Sequence, residues 1–106
     1  NDSLEMATGY NNLGSTYSEM NEADSALSHL YKSIAIYEAI GIKRNLSSAY
    51  DNIAVLLDKQ GKLDEAIVNL KKAVELAGQE KNKYREAGAV FNLGLMYRKK
   101  NDNQKA

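Results

Sequence analysis

The stretch Tyr10–Tyr17, YNNLGSTY, returns as YDNIAVLL over Tyr50–Leu57 and as VFNLGLMY over Val90–Tyr97. Its central asparagine falls at 12, 52 and 92, so the period is 40 residues. A fixed period of this order marks a chain of stacked supersecondary units, none of which can bury its apolar face alone.

Each copy opens on a large apolar or aromatic residue, Tyr10, Tyr50 or Val90. Leu13, Ile53 and Leu93 follow, then the small residues Gly14, Ala54 and Gly94, then Tyr17, Leu57 and Tyr97. Spacing of i, i+3, i+4, i+7 lays these side chains on one stripe of a helix. Glycine costs a helix interior ~1 kcal/mol against alanine, so a small residue within the stripe points to close approach by a second helix. A break is expected at Asn21, Gly61 and Asn101, residue types that tolerate left-handed backbone at a helix end. A second helical stripe then runs through Ala26, Leu27, Leu30, Ile34, Ile36 and Tyr37, and again through Ala66, Ile67, Leu70, Val74, Leu76 and Ala77. Each unit reads as two antiparallel helices joined by a short turn.

Tyr10-x2-Leu13-Gly14-x2-Tyr17 followed by Ala26-x3-Leu30 resembles the tetratricopeptide (TPR) pattern. Tyr50, Ile53, Ala54, Leu57, Ala66 and Leu70 repeat it, and Leu93, Gly94, Tyr97 and Ala106 begin it a third time. The resemblance covers essentially the whole chain. It implies an all-α fold, a right-handed α-α superhelix of antiparallel helix pairs. Two features depart from the usual pattern of about 34 residues: the period here is longer, and the closing proline is missing. The unit is similar to extended TPR variants, most of all to arrays in bacterial signalling and regulatory proteins. The expected units are residues 7–46, 47–86 and a truncated third at 87–106, with 1–6 left over from a preceding unit.

Fourteen Lys and Arg balance fourteen Asp and Glu, and proline and cysteine are absent. Without a basic excess to release counterions, nucleic acid is a poor partner. Lack of cysteine excludes disulfides and thiolate metal sites and leaves cytoplasmic and periplasmic placement both open. No apolar run approaches the ~20 residues of a membrane span, and the first residues lack the basic start and apolar core of a signal peptide.

In a TPR-like superhelix the first helix of each unit lines the concave wall. About 100° per residue places Thr8, Asn11, Ser15, Ser18 and Glu19 opposite the core stripe. Their equivalents include Ser48, Asp51, Val55, Asp58 and Lys59, then Gly88, Phe91, Leu95, Arg98 and Lys99. Val55, Phe91 and Leu95 are unusually apolar for a solvated wall. They read either as packing beneath a neighbouring unit or as a hot spot for a partner's side chain. Glu19, Asp51 and Asp58 come early and Lys59, Arg98 and Lys99 late, a charge order that would orient an extended peptide. Asn12, Asn52 and Asn92 border the wall. Their amides either pair with a peptide backbone, as the resemblance implies, or hydrogen-bond to backbone in the adjacent unit. The carboxylate clamp of chaperone-binding TPR domains would fall on Asn11, Ser15, Asn52, Gly88 and Asn92. Only Asn52 fits, and both cation positions of the third unit are lost, so chaperone-tail binding is not expected.

No enzyme, cofactor or metal is expected. His29, the only histidine, reads as a surface residue away from both stripe and wall. Asp64 and Glu65 read as helix-start residues favoured by the helix dipole. The function expected is recognition of a peptide or protein segment in the groove, within a larger signalling or scaffolding protein. The alternative is a spacer or self-association module, joined through an open C-terminal stripe at Leu93 and Tyr97.

Overall fold

The computed structural model describes residues 2–43 and 45–105; the third-unit match at Ala106 lies outside them. Five helices follow in order: α1 (Asp2–Glu19), α2 (Ala23–Ala39), α3 (Leu46–Lys59), α4 (Leu63–Gln79) and α5 (Lys83–Lys105). Among the described residues there is no strand. α1 packs on α2, α3 on α4 and α4 on α5, while α3 also touches α1, α2 and α5. The all-α repeat of helix pairs expected from the periodicity is therefore what the chain forms.

Helix ends follow a half-period. Positive φ occurs at Asn21 (60°), Gly41 (74°), Gly61 (79°) and Lys81 (58°), once every 20 residues. At each, two hydrogen bonds close the turn: at Gly61, Lys62 N–H donates to the Leu57 carbonyl (2.9 Å) and Gly61 N–H to that of Asp58 (2.9 Å). The same pair recurs as Glu22 to Tyr17 (2.9 Å) with Asn21 to Ser18 (3.1 Å), and as Asn82 to Ala77 (3.0 Å) with Lys81 to Gly78 (3.1 Å). These bonds satisfy carbonyls that a helix end would otherwise orphan. Asn82 adds a cap at the start of α5, its Oδ1 accepting from the Arg85 N–H at 3.1 Å.

Two expectations need correction. The break expected at Asn101 does not occur, because α5 runs without interruption to Lys105. Residues 2–6, assigned above to a preceding unit, form the first turn and more of α1.

Burial depends on place in the stack. α3 has neighbours on both sides, so Leu46, Tyr50, Ile53, Ala54, Leu56 and Leu57 are all buried. The same stripe is open at the ends: Leu13 is 45% exposed, Val90 51% and Tyr97 40%. Their types mark them as core, yet each is left about half open, Tyr97 with Lys71 Nζ of α4 5.8 Å from the centre of its ring. Within each hairpin a serine bridges the two helices at one fixed place. Ser33 Oγ on α2 donates to the Ala7 carbonyl of α1 at 2.8 Å. Ser47 Oγ on α3 donates to the Ala73 carbonyl of α4 at 3.1 Å. Positions 7 and 47, and 33 and 73, are equivalent, so the donor has changed helix while the bond has stayed. Each removes an otherwise unpaired buried hydroxyl.

Candidate peptide-binding face

α1, α3 and α5 lie side by side, and two shallow cavities open along their row. One of about 220 Å³ lies between α1 and α3, lined by Ser15, Ser18, Glu19, Asn52 and Val55 over a floor of Gly14, Leu30 and Leu56. The other, about 140 Å³, lies between α3 and α5, lined by Ser47, Ser48, Asp51, Arg85, Gly88, Ala89 and Asn92. Ser48 and Gly88 fall on the wall as helical geometry expected, whereas Ser47, Arg85 and Ala89 were not singled out. The 40-residue register makes Ser47 and Ser48 the equivalents of Ala7 and Thr8 in the first unit.

Repeat register orders the wall. Ser15, Val55 and Leu95 share one position on the three helices, and Asn11, Asp51 and Phe91 share another. Val55 and Leu95 are each 37% exposed and Phe91 67%. Phe91 and Leu95 lie one turn apart on α5, so an apolar strip is open to solvent at that end of the wall. The first-unit equivalents are polar: Ser15 is exposed, and Asn11 is half-buried with its Oδ1 enclosed and lacking a hydrogen-bond partner.

The asparagines divide in role. Asn92 Nδ2 donates to Asp51 Oδ1 at 3.0 Å, an inter-unit bond whose acceptor is a side chain and not backbone. Asn52 lines the α1–α3 cavity half-buried, and Asn12 is exposed. One helical heptad further along the same seam, Lys99 Nζ pairs with Asp58 Oδ2 at 2.5 Å. Both pairs join residue i to i+41, so α3 and α5 are stitched by a polar ladder. It draws Asp51, Asp58 and Lys99 out of the charge order inferred above. Glu19, Lys59 and Arg98 stay exposed.

His29 is a correction. It is half-buried on α2, its ring centroid 5.9 Å from that of Tyr10 and 5.1 Å from that of Tyr17. Its Nδ1 lies 2.8 Å from the Ser25 carbonyl. Gly14 lets α2 approach α1 closely, which brings the residue beside Leu30 onto the two tyrosines flanking that glycine. Asn69, at the equivalent place on α4, likewise donates to the carbonyl four residues back, at Glu65 (2.9 Å).

Two tyrosines on the other side of the stack have raised pKa values. Burial is the main cause at Tyr50, followed by the Glu38 carboxylate and then Tyr31. For Tyr31 it is burial, then Glu65. Neither lies within reach of a nucleophile–base pair, and among the described residues no group of three or more His, Asp or Glu is placed to hold a metal. No described helix is long and apolar enough to cross a membrane.

The family model for the tetratricopeptide repeat matches residues 5–79. That span runs from Glu5 in the first turns of α1 to the end of α4. No curated protein matches the chain.

Proposed function

The chain belongs to the tetratricopeptide repeat family, whose arrays generally mediate protein–protein interaction, and we propose that this one captures a peptide or protein segment along the row of α1, α3 and α5, as part of a signalling or scaffolding protein. The observation that carries the reading is the open strip of Phe91 and Leu95, in register with Val55. A large apolar side chain exposed on a wall between polar cavities gains ~1.5–3 kcal/mol when a partner covers it. Phe91 and Leu95 are the anchor, with Val55 extending it toward α1. Asn12, Asn52, Asn11 and Ser15 supply hydrogen-bonding groups at the first-unit end, and Arg98 a cation at the other. Asp51, Asn92 and Lys99 act chiefly by holding the wall together.

A displayed library of random peptides selected against the intact chain provides the probe. Selected peptides should lose ~10- to 100-fold in affinity with Phe91→Ala and less with Asn52→Ala. Selection yielding only peptides indifferent to Phe91, Leu95 and Val55 substitutions would refute the reading. The spacer or self-association alternative is favoured by Leu13 at one end of the stack and Tyr97 at the other, both exposed. Concentration-dependent assembly, abolished by Tyr97→Asp and unaffected by Phe91→Ala, would decide for it.

A further inference from the structure

α2 and α4 both pack on α3 and not on each other, so a crevice runs between the two complete hairpins, away from the row of α1, α3 and α5. A cavity of about 180 Å³ opens in it. Glu38 of α2 forms one wall, Lys72, Glu75 and Leu76 of α4 the other, and Leu46 and Tyr50 of α3 the floor. Pockets for drug-sized molecules run to ~300–1,000 Å³, so this one has the size of a single side chain.

Its floor carries a polar group in want of a partner. Tyr50 is 8% exposed, yet its hydroxyl takes part in no hydrogen bond among the described residues. The Tyr37 hydroxyl, by contrast, meets both Thr8 and Asn45. Glu38 and Tyr31, both on α2, act on the Tyr50 hydroxyl electrostatically, which sets it at the crevice and not in the core. A hydroxyl so enclosed is costly to leave unpaired.

The walls supply charge. Glu38 and Glu75 are exposed and form no ion pair among the described residues. Glu75 Oε1 accepts only a long bond, from Gln79 Nε2 at 3.5 Å. Lys72 Nζ lies 5.3 Å from the centre of the Tyr50 ring, so that ring already attracts a cation. Two carboxylates against one ammonium leave the cavity with a negative excess that one further cation would neutralise.

We propose that this crevice receives one arginine side chain of a partner protein, its guanidinium between Glu38 and Glu75 and donating to the Tyr50 hydroxyl oxygen, its stem over Leu46 and Leu76. Carboxylates on opposite walls and a hydroxyl below them call for donors pointing several ways. A guanidinium has five in a rigid fork, is more weakly hydrated than an ammonium and stacks on aromatic rings. The site stands apart from the peptide-binding strip, since Val55 points about 140° away from Tyr50 around α3.

The probe is N-acetyl-arginine amide, titrated into the isotopically labelled intact chain and followed by backbone amide shifts. Saturable shifts should centre on Glu38, Tyr50, Glu75 and Leu76, with a Kd on the order of 1–10 mM for so small a fragment. Glu38→Gln and Glu75→Gln should each weaken binding about 2- to 5-fold, and Tyr50→Phe roughly 2- to 10-fold. Lys72→Met removes the competing cation and should tighten it, whereas Phe91→Ala should change nothing. The amide spectrum of each variant verifies that it folds. N-acetyl-citrulline amide, of the same shape without the charge, should bind far more weakly. Shifts that fail to saturate or that scatter over other carboxylates overturn the proposal. So do equal binding of the citrulline amide and an affinity untouched by both glutamate substitutions. Tighter binding of free arginine than of its blocked form would also overturn it, assigning the cavity to a free amino acid.

Discussion

Gly14 and Gly94 occupy the same register position 80 residues apart, and the structure gives substitution of each by alanine the opposite sign. At Gly14 the new methyl would stand 2.6 Å and 2.8 Å from Leu30 carbons and 3.2 Å from a backbone oxygen. Carbon pairs are at their optimum near 3.5–4.0 Å, so something must move. Leu30 is 1% exposed and the oxygen belongs to a helix, so neither yields readily. Overpacking of this kind costs ~1–3 kcal/mol, against which alanine returns up to ~1 kcal/mol of helix propensity. The net expectation for Gly14→Ala is a loss of about 1 kcal/mol. At Gly94 the methyl meets nothing, so the propensity term acts alone and Gly94→Ala should gain ~0.5–1 kcal/mol. Urea unfolding of both variants beside the parent measures the difference, and thermal melts should shift in opposite directions by several degrees each. A cycle with Leu30→Ala isolates the contact, because that truncation should cost less in the Gly14→Ala background than in the parent. Shifts of the same sign, or a truncation cost unchanged by Gly14→Ala, would refute the close fit of Leu30 on Gly14.

Further expectations rest on single contacts. The Tyr37 hydroxyl, on a side chain 1% exposed, lies 3.2 Å from Thr8 Oγ1 and accepts from Asn45 Nδ2 at 3.2 Å, so Tyr37→Phe should cost ~0.5–1.5 kcal/mol by urea unfolding. The folded-state pKa of Tyr50 is raised above 10.0, so the stability tied to its neutral form is complete below the unfolded pKa. It is lost as pH rises through the folded value, so melts of the parent should weaken more steeply above about pH 10 than those of Tyr50→Phe. Asn92→Asp would set a carboxylate beside Asp51, 3.0 Å from the present donor, and should destabilise by roughly 1–3 kcal/mol at neutral pH. That loss should shrink on acidification, as the crowded pair takes up a proton more readily in the folded chain than in the unfolded one.

Much of the fold was legible in the sequence because its signals are local and repeated. The 40-residue register fixed both hairpins, and Asn21 and Gly61 announced their turns by residue type. Lys81 did not, since lysine is an uncommon occupant of left-handed backbone, and only its place 20 residues after Gly61 would have revealed it. The wall was readable from helical geometry to the extent that Val55, Phe91 and Leu95 face solvent. The polar ladder was missed because a pair such as Asp51 and Asn92 is invisible until two units are set side by side. Its i, i+41 spacing, repeated by Asp58 and Lys99, is the signal that could have found it. His29 was misplaced for a related reason: its environment is made by two tyrosines on another helix and by the absence of a side chain at Gly14.

The uninterrupted run of α5 through Asn101 shows what a turn residue does and does not specify. Asn21 and Asn101 are the same residue at equivalent positions, yet one has φ of 60° and the other lies within a helix. Continuing a helix adds one hydrogen bond for each residue fixed, whereas a left-handed turn forgoes that gain and costs a non-glycine residue roughly 1–2 kcal/mol. At Asn21 the loss is offset by what the turn makes available. α2 folds back, Leu30 fills the Gly14 notch, and Ala26 and Ile34 leave solvent, each large apolar side chain contributing ~1.5–3 kcal/mol. At Asn101 no such seam forms within the described residues, and α5 continues as helix through Lys105. The asparagine permits a break, but the seam decides it.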